Sequence, residues 1–200
     1  MKNAYFGARN LHIAMMKDEA ALTYDTPVSV PGTISIGMEP QTSSDPSYAD
    51  DGVWVENNAD NGFDITLANF DLETNPDIRE LYARMVGYDL DDKNRLLYRA
   101  DKQPEPFALQ CEEEATSTQG RRKCLLKCSA EKPAQNAETT TDSRTLAQTE
   151  LTIHARPVVL TSGIKLSGYT DYPGSTTYDD FFDAVDISIA LPTTPSTSTE

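Results

Sequence analysis

The amino-acid sequence predicts a mainly-β (α+β) fold, an antiparallel β-sandwich with one flanking α-helix and long loops. Three observations carry this expectation. Apolar residues alternate with polar ones in four separate stretches, turn-forming residues divide those stretches, and one stretch has the clear period of an amphipathic helix. A chain of 200 residues is long enough to bury a core without disulfides or metals, so residues 1–190 are expected to form one domain.

In chain order, the first 22 residues are interrupted by Arg9, His12, Lys17, Asp18 and Glu19, so they lack the apolar run of a secretory signal. Ile34, Ile36 and Met38 then alternate with Thr33, Ser35 and Gly37, as a half-buried strand requires. Residues Glu39 to Gly52 combine Pro, Ser, Asp and Tyr without a period and read as a long loop. Asp60-Asn61-Gly62 follows a short VWVE strand and precedes Phe63, Ile65 and Leu67. Because Asn and Gly both tolerate positive φ, this spacing predicts a tight hairpin turn.

The helix is expected over Pro76–Val86. Asn75 suits the N-cap, Pro76 the first helical position, and Gly87 a left-handed stop, while Ile78, Leu81, Tyr82 and Met85 form the apolar stripe. Asp77 at its start complements the helix dipole. Further on, Phe107, Leu109 and Cys111 alternate in one strand, and Thr116–Gly120 separates it from RRKCLLKCS, predicting a second hairpin. Ala134–Arg144 reads as a loop. Leu151, Ile153 and Ala155 alternate in another strand, and Tyr178–Val185 is expected to form a short second helix. Each strand is expected to have one dry and one wet face, the pattern of antiparallel sheet. Residues 191–200, LPTTPSTSTE, form a polar tail with nothing to bury and are expected to be disordered.

Composition narrows the function. Seventeen Lys and Arg stand against 32 Asp and Glu, a formal charge of −15, which opposes attraction to nucleic-acid phosphates or anionic membranes. No stretch approaches the roughly 20 apolar residues of a membrane helix. Cys111, Cys124 and Cys128 are odd in number and lack the spacing of a secreted disulfide framework, so a reducing, cytoplasm-like site of synthesis is expected.

Catalytic patterns are missing from the sequence. There is no phosphate-binding glycine loop, no HExxH and no G-x-S-x-G, so no catalytic residue, cofactor or metal is expected. His154 falls on the polar face of a strand with no identifiable partner and reads as a surface or inter-subunit histidine. Cys124 and Cys128 are four apart in a strand, about 13 Å, too far to share a zinc ion, and read as buried thiols. Asp89–Asn94 fails as a calcium loop because Asn94 and Ala100 occupy its glycine and glutamate positions. Arg121, Arg122 and Lys123 are expected to pair across strands with Glu112, Glu113 and Glu114.

The landmarks, taken in order, resemble a known family. GARNLHIA (7–14), TYDTPVSVPGTISIGMEP (ending at Pro40), YADDGVWVENNADNGFDITLANFDL, the QPEPFAL segment from Gln103, RRKCLLKCSAEKP (to Pro133), LAQTELTIHARP and Phe181-Phe182 are similar to the major tail proteins, or tail tube proteins, of siphophages infecting Gram-positive bacteria. The resemblance spans roughly residues 5–188. It implies a single tail-tube domain over 1–190 whose strands join an inter-subunit β-barrel in a hexameric ring. The rings stack into a tube around the tape measure protein, bounded by tail terminator and distal tail proteins, and DNA passes through the lumen without specific binding. The expected location is the virion tail, assembled in the host bacterial cytoplasm.

On that reading Glu39–Gly52 and Gly168–Ser188 make inter-subunit or inter-ring contacts, with Tyr48, Trp54, Tyr169 and Phe181 as apolar anchors. Ordinary core packing is the competing role for each. The alternative function is a β-sandwich binding module, carbohydrate-binding or capsid-decorating, which would explain strands, loops and aromatics equally well.

Overall fold

The computed structural model describes residues 5–49, 52–70, 72–116, 119–134 and 148–189, and at positions 6, 45–49 and 52–58 it describes the backbone alone. Among the described residues thirteen strands and one helix follow in the order β1 (Tyr5–Asp18), β2 (Thr23–Tyr24), β3 (Val28–Ser29), β4 (Thr33–Ala49), β5 (Gly52–Asn69), α1 (Arg79–Val86), β6 (Asp89–Leu90), β7 (Leu96–Leu97), β8 (Phe107–Ala115), β9 (Arg121–Ala130), β10 (Thr149–Ala155), β11 (Val158–Val159), β12 (Lys165–Leu166) and β13 (Gly168–Asp171). The fold is mainly β and sandwich-like, as the alternation predicts.

The main sheet runs β2-β1-β8-β9-β10-β5-β4 and all its pairings are antiparallel. It forks at β9. One edge of that strand pairs with β8, while the other is shared between β13, at Arg122–Leu125, and β10, at Cys128–Ala130. Past the fork the β10-β5-β4 half curls back, and β4 approaches β1 to within 8 Å between Cα atoms without pairing to it. Between the two halves lies the larger core, with Leu11, Ile13, Met15, Ile65, Leu67, Phe107, Leu109, Leu151 and Ile153 facing inward.

Helix α1 covers the same core through Tyr82, Met85 and Val86, with Ile78 just before its first turn. Its end is the one expected: Gly87 adopts φ 74°, ψ 40° and its N–H bonds to the Ala83 carbonyl. Its start is later than expected. Residues 76–78 form turns, in which the Asn75 side chain accepts from Asp77 N–H (3.0 Å) and the Asn75 carbonyl from Ile78 N–H (3.3 Å). The Asx turn holds Asn75 and competes with helical hydrogen bonding there.

Four expectations are corrected. Asp60-Asn61-Gly62 is no hairpin turn, because β5 runs through it. Between matched pairs β4 advances from Pro40 to Thr42 while β5 goes from Phe63 to Asp60, so the positive φ of Gly62 (97°) serves a β-bulge. The expected loop Glu39–Gly52 is mostly strand, with Pro40 and Pro46 tolerated because β4 is an edge. Tyr178–Val185 forms successive turns, closed by Phe181 N–H to Tyr178 carbonyl and Asp183 N–H to Asp180 carbonyl, instead of a helix. Its aromatics and aspartates are poor helix formers, and tertiary contacts hold the segment. Finally, β8 is not wet on one side: from Phe107 to Glu112 every residue is buried.

That burial follows from a second, smaller core on the other face of β1, β8 and β9. Met16, Leu22, Cys124, Leu126, Val158, Leu160 and Phe181 pack there beneath the chain from 157 to 189. The three cysteines are free and buried in the sheet. The hairpin expected across Thr116–Gly120 is present as β8–β9, with residues 117 and 118 outside the described residues. The expected Ala134–Arg144 loop and the 191–200 tail also lie outside them, apart from Ala134.

Candidate functional site

The feature least explained by the needs of the domain itself is the far part of β4 and β5. Up to Phe63, β5 is paired on both sides, with β4 and with β10. The last β10 pairing is Ala155 with Phe63. Beyond that point β4 and β5 pair with each other from Thr42–Asp60 to Ala49–Gly52. Among the described residues no third strand joins them, so a two-stranded arm projects roughly 25 Å at the usual rise per residue. Among the described residues no strand pairs with either outer edge of this arm, the condition under which a sheet accepts another strand.

The arm is acidic. Residues 39 to 62 contain Glu39, Asp45, Asp50, Asp51, Glu56 and Asp60 and no Lys or Arg. The backbone places Tyr48 and Trp54 near its tip, Tyr48 opposite Val53 and Ser47 opposite Val55. The side chains of Tyr48 and Trp54 lie outside the described residues.

Several contacts define the root of the arm. Asp60 Oδ1 accepts from Gly62 N–H at 2.9 Å, and a Cβ on Gly62 would collide with the Ala155 carbonyl. Arg156 Nη1 donates to the Asn61 carbonyl at 3.0 Å. Next to it His154 sits between two carboxylates, with Nδ1 2.7 Å from Asp64 Oδ1 and Nε2 2.9 Å from Glu131 Oε1. The hydrogen bonds to Glu131 and Asp64 hold its pKa above the ordinary value. His154 thus has the surface position expected of it, together with two partners that the sequence did not disclose.

Tyr169 and Phe181 lie apart from the arm, in contact with each other edge to face at 5.9 Å. Phe181 is buried in the smaller core, and the Tyr169 hydroxyl accepts from Asp186 N–H at 3.3 Å. These contacts fasten the C-terminal segment to the sheet. Polar groups of β8 and β9 share that task. Gln110 Nε2 donates to the carbonyls of Phe181 (2.7 Å) and Ala184 (3.2 Å), and Arg122 donates to the Tyr178 carbonyl while its guanidinium stacks on Tyr178 and Phe182.

The predicted ion pairs form. Glu113 pairs with Arg121 and Lys123, and Glu112 with Arg122 at 3.2 Å. Arg9 joins from β1, reaching Glu112 at 2.6 Å and Glu114 at 3.0 Å. Burial alone would raise the Glu112 pKa, but hydrogen bonds from Arg9 and Asn10 and the nearby guanidinium charges outweigh it and hold it below the usual range. For the thiols burial dominates, pushing Cys111 and Cys124 up to about 12, so neither is a ready nucleophile.

Among the described residues no group of three or more His, Cys, Asp or Glu is arranged to hold a metal ion, and no helix is long and apolar enough to cross a membrane. No protein-family model matches the chain, and no curated protein matches it.

Proposed function

We propose that this chain is a structural subunit that polymerises, as stacked hexameric rings, into the tail tube of a long-tailed bacteriophage. The observation that carries the reading is the acidic arm with two open edges. An isolated two-stranded ribbon is at best marginally stable in water, whereas pairing with strands of neighbouring subunits would satisfy both edges and close them into a barrel. Arms contributed by six subunits would line such a barrel. Their carboxylates would repel phosphate and leave DNA free to slide.

On this reading the tube assembles in the host cytoplasm around a tape measure protein, meets terminator and distal tail proteins at its ends, and becomes part of the virion. The expected result of negative-stain electron microscopy on the concentrated protein, with light scattering beside it, is rings or hollow tubes of uniform width. A protein that stays monomeric even with tape measure and initiator proteins supplied would overturn the proposal and favour a binding module.

A further inference from the structure

The arm can point in a fixed direction only if its root is held, because beyond Phe63 no third strand among the described residues steadies it. Three consecutive residues, at the end of β10 and just beyond it, make contacts that hold it. Ala155 packs its carbonyl against Gly62 in the bulge, Arg156 grips the Asn61 carbonyl, and His154 ties β5 to the chain leaving β9 through Asp64 and Glu131. Asp64 lies opposite His154 on one side and Glu39 of β4 on the other, so these three side chains share one face of the sheet.

We infer that the His154–Asp64–Glu131 cluster is a pH-sensitive lock on the arm root, closed when the imidazole carries both protons and loosened when it loses one. The geometry requires this pairing of states. A neutral imidazole has one N–H and one acceptor nitrogen, so it can donate to either carboxylate but must face the other with a lone pair. Only the imidazolium satisfies both.

The surrounding charges point the same way. The groups facing His154 or its partners are Asp64 on β5, Glu39 on β4, Glu131 after β9, Arg156 beyond β10, which lies 3.9 Å from Asp64, and Asp60 on β5 and Lys165 on β12, which line the same shallow pocket as Asp64 and Arg156. Four carboxylates meet two permanent cations there. The imidazolium offsets part of that excess, and its loss leaves a larger net negative charge at the base of an arm that is itself acidic. Because the folded-state pKa of His154 is raised, the lock is complete below the ordinary histidine value near 6.5 and is lost as pH rises through the folded-state value.

The test is an NMR measurement on the dilute monomer, independent of whether the protein polymerises. Protection factors for amides 59–64, which remove the intrinsic pH dependence of exchange, are followed from pH 6 to pH 8.5 together with the His154 ring signals. Wild type is expected to lose protection at the root by about tenfold for each unit by which the His154 pKa is raised, in step with the ring titration, while Leu67 and Ile153 stay protected. His154→Gln is expected to be loose throughout, and His154→Lys, a permanent cation, to show no step. Root protection in wild type that is flat across the ring titration, or a step retained in His154→Gln, would overturn the lock.

Discussion

The β1-β8-β9 body and the β4–β5 arm obey the same alternation rule and reach different ends. In the body, β8 has strands on both sides and covers on both faces, so even Gln110 and Glu112 are buried and bonded within the chain. In the arm, β4 and β5 have only each other among the described residues. Among the described residues β8 is paired and covered within the protomer, whereas no strand joins the outer edges of the arm. That contrast is what makes the arm, and not any cleft in the body, the place to look for function.

The contrast can be broken or sharpened by substitution. The largest effect is expected in the body: Phe107→Ala, at a fully buried side chain, should cost about 3–5 kcal/mol in denaturant unfolding. Next is Glu112→Gln. Arg122 would keep its bond to the Tyr178 carbonyl, so the loss should be about 3 kcal/mol, at the low end for opening a buried pair. Wild type should reproduce part of this loss in acid. Since the Glu112 pKa is depressed on folding, its contribution is present above the ordinary carboxylate value, about 4, and disappears as pH falls through the folded-state value; a denaturation series from pH 6 to pH 2 measures it.

Gly62→Ala, at the junction of the two regions, should cost about 1–3 kcal/mol through forced positive φ and collision with the Ala155 carbonyl. Root amides should lose protection before body amides do. The smallest effect on folding is expected from the arm itself. Replacing residues 44–57 by a two-residue turn should change unfolding stability by within about 1 kcal/mol, because a lone ribbon contributes little, yet it should abolish polymer formation in light scattering. A large loss of stability would show that the arm belongs to the body after all.

The same contrast marks what was legible in the sequence. Alternation located the strands around Ile36, Ile65, Leu109 and Ile153, and the charge patterns of Glu112–Glu114 and Arg121–Lys123 anticipated their cross-strand pairing. Helix α1 was legible at its Gly87 end, where one backbone conformation decides, and less so at Asn75, where the side chain competes with the helix. The arm was misread because Pro, Ser and Asp are loop residues by composition, and only pairing with β5 turns 39–49 into strand. Asn61-Gly62 signals positive φ, and that signal is shared by hairpin turns and bulges; the choice between them depends on Ala155, more than ninety residues away. The His154 cluster was hidden for a related reason, since register alone brings Asp64, His154 and Glu131 together.

The most direct measurement is hydrogen exchange of residues 42–58, compared between the dilute protein and concentrated, assembled samples. If the arm is the polymerising element, its amides exchange rapidly in the monomer and become protected in the assembly, while β8 and β9 are protected in both. Assemblies in which the arm remains as exposed as in the monomer, or a concentrated protein that never assembles, would contradict it.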